Sequence, residues 1–148
     1  MSVYTSVLQY LGSPYRQHRC ADISGDPYSH GVQDPHEGFC CSGLVRRAAY
    51  DVGIMLPPDL MHSWQMHDQL PIGDGSPGDI IILSRLGVRV THVGIVLPDN
   101  KIIHSCKKEK RVIISSMDEI LSMYPPKLTE PRRRFSTNPI GYRRLAKI

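Results

Sequence analysis

Between positions 79 and 116 the sequence carries four apolar runs separated by short turn-forming stretches, and this alternation restricts the fold more than any other feature. The run 79–84, Asp-Ile-Ile-Ile-Leu-Ser, suits a buried strand. A turn at Gly87 leads to the run 90–97. Pro98-Asp99-Asn100-Lys101 is turn chemistry, so the run 101–106 is expected to pair with it as a hairpin. The run 111–116 supplies a fourth strand and 118–123 a short helix. After a loop that opens at Tyr124-Pro125-Pro126, 140–145 is a final edge strand. Ahead of these strands the period is helical. Val3, Tyr4, Val7, Leu8 and Leu11 form one face, with Ser2 placed to cap it and Gly12 and Pro14 to close it. Leu44, Val45, Ala48, Ala49 and Val52 form a second face, which Gly53 ends and Pro57-Pro58 keeps ended. A further short helix is expected over 58–67. Helices first and consecutive strands afterwards predict an α+β fold with a central antiparallel sheet. The chain has 148 residues, 41% of them hydrophobic, which suits one core, so 1–148 reads as a single domain.

The second helix starts inside Gly38-Phe39-Cys40-Cys41-Ser42-Gly43-Leu44-Val45. Cys41 therefore stands at a helix N-terminus, where unpaired N–H groups and the macrodipole favour an anion and lower a thiol pKa. A small buried hydrophobe is the bland alternative for a free cysteine. A nucleophilic thiol needs a base in reach, and the base needs a group to orient it. Of the seven histidines, His92 and His104 lie on adjacent predicted strands, where a side chain is held rigidly. With 98–101 as the four turn residues, His104 pairs near position 95 and is offset from His92. Sheet twist and a longer loop are two ways to bring the rings together. Either histidine could equally be half-buried and satisfied by backbone.

Cys20, Cys40, Cys41 and Cys106 do not read as a disulfide framework, because adjacent cysteines rarely pair with each other; a Cys20–Cys40 bridge stays open. No Cys-x-x-Cys occurs, and His18, Cys20, His30 and His36 follow no ligand spacing, so neither metal nor cofactor is expected. The net charge is +4 with a pI near 9.0, and the excess gathers in the basic segment 131–148. Arg132, Arg133, Arg134, Arg143, Arg144 and Lys147 face no acid after Glu130. Such a segment is attracted to polyanions, whether wall polymer, phospholipid or nucleic acid, or is simply a solvated face. Only Phe135 and Tyr142 interleave it, so no specific nucleic-acid partner is expected. The start has no basic region followed by a continuous apolar one, and no apolar run reaches a membrane's width. Neither a signal peptide nor a membrane span is expected, and action outside the cytoplasm would need another delivery route.

Five segments in order carry a resemblance. They are Leu11-Gly-Ser-Pro-Tyr15; Cys40-Cys41-Ser42-Gly43-Leu44-Val45 with Gly53-Ile-Met-Leu-Pro57; Pro77-Gly78-Asp79-Ile80; Thr91-His92-Val93-Gly94-Ile95; and Ile103-His104-Ser105. Over residues 5–106 the chain resembles the NlpC-type cell-wall cysteine peptidases, a papain-like family. The resemblance implies an NlpC fold with Cys41 as nucleophile, His92 as general base and acid, and His104 orienting His92. It also implies that Tyr15, Ser42 and the residue at Cys40 line the substrate cleft, and that backbone N–H groups near Cys41 help form an oxyanion hole. The implied reaction is cofactor-free hydrolysis of amide bonds in peptidoglycan stem peptides, commonly between D-Glu and the diamino acid.

The sequence departs from that pattern at two places. Cys40 stands where the family usually has Asp for the free amine of a stem peptide. The usual Gly-Gly after Tyr15 is replaced by a His- and Asp-rich loop over 17–37, whose Asp22, Asp26, Asp34 or Glu37 could supply the missing acid. An exported antibacterial toxin with an immunity protein, or a phage tail or lysis component, are the expected settings. A thiol acyltransferase or lipid-acting relative would place His before Cys, the reverse of the order here. A silent peptide-binding module would have no need of a nucleophile with its base.

Overall fold

The computed structural model describes residues 2–16, 38–57, 60, 75–84, 90–125 and 140–144. Helix α1 (Val3–Leu8) is capped by Ser2, whose hydroxyl accepts the Thr5 N–H as its sequence position predicts. It stops short of the predicted face: Leu8 and Leu11 are exposed, and Tyr10 turns inward instead. A polar junction explains this. The Tyr10 hydroxyl donates to Asp51 Oδ2 and accepts from Arg47 Nε at 3.0 Å, and both partners belong to α2 (Cys41–Asp51). Burial and the hydrogen bond to Asp51 push the Tyr10 hydroxyl up to about 12, so it remains a donor. Helix α2 buries Leu44, Val45, Ala48 and Ala49 and ends ahead of Gly53, whose φ of 85° few side chains tolerate.

Five strands follow: β1 (Ile80–Leu83), β2 (His92–Leu97), β3 (Lys101–Cys106), β4 (Arg111–Ser116) and β5 (Ile140–Arg143). They form one antiparallel sheet in the order β4-β3-β2-β1-β5, with β5 at the edge as expected. Helix α3 (Met117–Met123) leaves β4 directly through a capping box: Ser116 accepts the Glu119 N–H, and Glu119 accepts the Ser116 N–H. The predicted helix over 58–67, except Leu60, and the Gly87 turn lie outside the described residues, as does the grouping of His18, Cys20, His30 and His36.

The sheet is covered on both faces. Ile80, Ile82, Val93, Ile95, Leu97, Ile103 and Val112 pack with α1 and α2. Ile81, Leu83, Val96, Ile102, Ile140 and Tyr142 pack with Ile120 of α3 on the other face. Strand side chains alternate, so the register assigns His92, Gly94, His104 and Ser115 to this second face. The hairpin register differs from the sequence count by one residue. Leu97 pairs with Lys101 and Ile95 with Ile103, which sets His104 opposite Gly94 rather than position 95. The turn is tighter than four residues because Asp99 and Asn100 take φ values of 64° and 58°, which Asp and Asn tolerate.

Candidate active site

The approach to Cys41 is clamped by backbone. Gly38 has φ 111°, and a Cβ there would lie 2.7 Å from the Pro14 carbonyl oxygen, so only glycine fits. Phe39 donates its N–H to Pro14 O at 2.9 Å, and its carbonyl accepts from Arg16 N at 3.1 Å and Ser105 Oγ at 2.7 Å. Tyr15 bridges Phe39 in parallel, and the preceding residues hydrogen-bond along the free edge of β4. A segment from the N-terminus and a serine on β3 thus fix the chain two residues before the thiol. Cys40 is the N-cap of α2, in extended conformation and without a side-chain cap bond. Cys41 and Cys106 carry free thiols, whereas Cys40 is disulfide-bonded, its partner lying outside the described residues. The sequence alone leaves a bridge at Cys40 open. Its sulfur lies 3.6 Å from the hydroxyl of buried Ser42.

The Cys41 sulfur faces the backbone N–H groups of Val93, Ser42 and Cys41, which favour a thiolate. Burial acts the other way and wins, pushing the thiol up. The helix terminus favours the thiolate as the sequence suggested, but burial outweighs it.

The two predicted histidines do meet. His92 Nε2 lies 2.9 Å from His104 Nδ1, with the rings at 87° to one another. Gly94 lies opposite His104 on the same face, where a Cβ would lie 3.1 Å from His104 Cβ, so glycine leaves the histidine its place. His104 Nε2 in turn lies 2.9 Å from Ser115 Oγ. On its other side His92 is covered by Tyr124, just past α3, whose ring stacks at 3.9 Å and 13°. Burial, and then the proximity of His104, hold His92 well below its ordinary value of 6.5; burial lowers His104 to about 4. Both imidazoles are neutral at neutral pH. Tyr15 is pushed up by burial and by the neighbouring Cys41 and Cys106 sulfurs, and Tyr124 is raised by burial and then Cys106, with Cys41 and Tyr15 also near.

Helix α2 and the imidazoles approach from opposite faces of the sheet and converge at its end, where β2 begins. The thiol rests against the Val93 N–H, next along from His92, and makes no hydrogen bond to the His92 ring among the described residues. The neutral thiol and neutral imidazole form a pair that can exchange one proton, with first-turn N–H groups in place to receive negative charge. No group of three metal-ligating side chains occurs among the described residues. Sequence reasoning found Cys41, His92, His104 and Tyr15 but not Ser115 or Tyr124; a serine in a strand and a tyrosine after a helix carry no local signal of their neighbours.

The family model of the NlpC/P60 family matches residues 25–133. The Gamma-DL-glutamyl hydrolase of Bacillus subtilis (strain 168) is 32% identical over 111 residues, 74% of this chain and 26% of that protein. The Murein DD-endopeptidase MepH of Escherichia coli (strain K12) is 32% identical over 99 residues, covering 64% and 36%. This chain thus spans well under half the length of either. Among solved structures, the P60 domain of M. avium subspecies paratuberculosis antigen MAP1204 superposes with a TM-score of 0.58 at 21% identity, covering 99% of this chain and 93% of that one. That likeness concerns the fold.

Proposed function

The chain belongs to the NlpC/P60 family, and from that premise we propose that it is a cysteine endopeptidase of peptidoglycan peptides. The observation that carries the reading is the convergence of the Cys41 thiol, at an uncapped helix N-terminus, with the His92–His104 pair. The nitrogen of His92 not engaged by His104 is Nδ1. The thiol turns from Val93 N–H to this nitrogen and gives it the proton as sulfur attacks the scissile carbonyl carbon. The carbonyl π pair moves to oxygen, and the N–H groups of Cys41 and Ser42 receive that oxyanion. The oxyanion collapses and expels the amine, which takes the proton from His92. A thioester remains on Cys41, and His92 then draws a proton from water to hydrolyse it and free the thiol.

The bond we propose is that between D-Glu and the diamino acid; the name of the B. subtilis relative supports a γ-glutamyl bond, and the name of the E. coli relative points instead to a DD-bond. A disulfide-bonded Cys40 offers no charge to a substrate's free amine, so cross-linked peptidoglycan is the preferred substrate over free stem peptides. We place the action outside the cytoplasm, as an exported toxin with an immunity protein or as a phage tail or lysis component. The disulfide supports an oxidising compartment.

Mass spectrometry of muropeptides digested by wild type and Cys41→Ala tests the reading. D-Glu–diamino acid cleavage by the wild type alone is expected. Cleavage by both proteins removes Cys41 from the mechanism, DD-products replace the proposed bond, and a preference for free stem peptides refutes the substrate preference.

A further inference from the structure

His104 is fully buried and has two ring nitrogens to satisfy, one toward His92 and one toward Ser115. Protons along this row run in one of two directions. In the first, His92 Nε2–H donates to His104 Nδ1, and His104 Nε2–H donates to Ser115 Oγ; His92 Nδ1 then keeps its lone pair. In the second, the Ser115 O–H donates to His104 Nε2, and His104 Nδ1–H donates to His92 Nε2. The remaining proton of His92 then sits on Nδ1, which can no longer receive one from a thiol. Only the first direction leaves a base for Cys41.

We propose that Ser115 is a positioning residue whose hydroxyl, by accepting from His104 Nε2, makes the productive direction of this row attainable. The reason lies in the unequal cost of buried defects. An orphaned N–H is a rarer and more expensive defect than an acceptor left without a donor. Were the hydroxyl absent, His104 would carry its proton on Nδ1, where His92 can accept it, and leave Nε2 as a bare lone pair. His92 would be driven into the unproductive tautomer with its position unchanged. The hydroxyl removes the orphaned imidazole N–H: it accepts from Nε2, and its own proton, on a rotatable bond, is not held to one direction as a ring N–H is.

The fold holds Ser115 to this task. It is 1% exposed, so water does not readily stand in for it. Ser115 pairs with Ile102 while His104 pairs with Ile113, which makes serine and histidine diagonal neighbours on one face. The next residue, Ser116, is locked as the N-cap of α3 by its reciprocal bonds with Glu119. His104, held to about 4 by burial, stays neutral at neutral pH and so has one N–H and one lone pair to place.

The inference rests on the roles proposed for Cys41 and His92, and the test keeps the two apart. Ser115→Ala and Ser115→Thr are compared by muropeptide kinetics and by 15N-resolved imidazole NMR, the latter also in the Cys41→Ala background. In Ser115→Ala, kcat is expected to fall about ten- to hundredfold with KM within about twofold. The His104 proton moves from Nε2 to Nδ1, and Thr restores both readouts. An unchanged His104 tautomer, or an unchanged kcat, in Ser115→Ala overturns the proposal. Should Ser115→Ala fail to fold, Ser115→Val against Ser115→Thr supplies the same contrast at equal shape. Activity surviving in Cys41→Ala would remove Cys41 from the mechanism, while the tautomer would still report on Ser115.

Discussion

A Cβ at Gly94 would lie 2.9 Å from Ile102 Cγ2, 3.0 Å from the Ile103 carbonyl oxygen and 3.1 Å from His104 Cβ. Backbone on one side leaves little room to yield, so Gly94→Ala should displace β3 and part the imidazoles. We expect a stability loss of about 1–3 kcal/mol, read from denaturant midpoints, and a larger loss in kcat than in substrate affinity. The same imidazoles set the response to acid. In the unfolded chain each takes a proton near 6.5, whereas folded His104 waits until about 4 and His92 is also well below its ordinary value. The unfolded state therefore binds more protons across that window. Stability present above 6.5 is lost as pH falls toward 4, by on the order of 3 kcal/mol for His104 alone. A thermal midpoint that stays level between pH 6.5 and 4.5 would contradict this; the acid limb of kcat/KM should likewise lie below 6.5. Cys41, His92 and His104 were legible as candidates because a thiol at a helix start and strand-borne imidazoles stand inside the motifs that carry the family resemblance. The raised thiol was not, since desolvation depends on what packs over a residue.

Elements set how these side chains are held. Helix α3 starts where β4 ends, and the chain leaving it lays Tyr124 flat on His92. Tyr124→Ala should admit water to the ring and let the His92 pKa rise toward 6.5, so the acid limb of kcat/KM moves up; a stationary limb would deny Tyr124 this part. Ser105 acts on the opposite side of the site, tying the carbonyl of Phe39 to β3. Ser105→Ala leaves that oxygen its bond from Arg16, so the cost should be about 1 kcal/mol, with kcat reduced as the approach to Cys41 loosens. The strand and helix types were readable from periodicity, and β4 falls at its predicted bounds. The register between β2 and β3 was not, because it turned on left-handed conformations at Asp99 and Asn100.

Across the whole molecule, distant parts of the chain are joined by a few polar contacts. Asp79, buried ahead of β1, accepts the Ser76 N–H at 2.8 Å and both Nε and a terminal nitrogen of Arg144, at 3.2 and 3.1 Å. Arg144, one of the cations of the basic segment, fastens the end of β5 to the start of β1 while remaining largely exposed. Asp79→Ala should cost about 1 kcal/mol, because Ser76 and the arginine are both exposed enough for water to replace the lost partner. A denaturant midpoint unchanged from wild type would show the junction to be dispensable. The sequence by itself determined the kinds of element and their order, and singled out Cys41, His92 and His104 as candidates, because periodicity, turn chemistry and residue type are local properties. Only the tertiary structure decided that Gly94 gives His104 its place opposite, that Ser115 and Tyr124 pack against the imidazoles, and that burial pushes the Cys41 thiol up. Each of those depends on which residues strand register and burial bring together, and distance along the chain does not encode that.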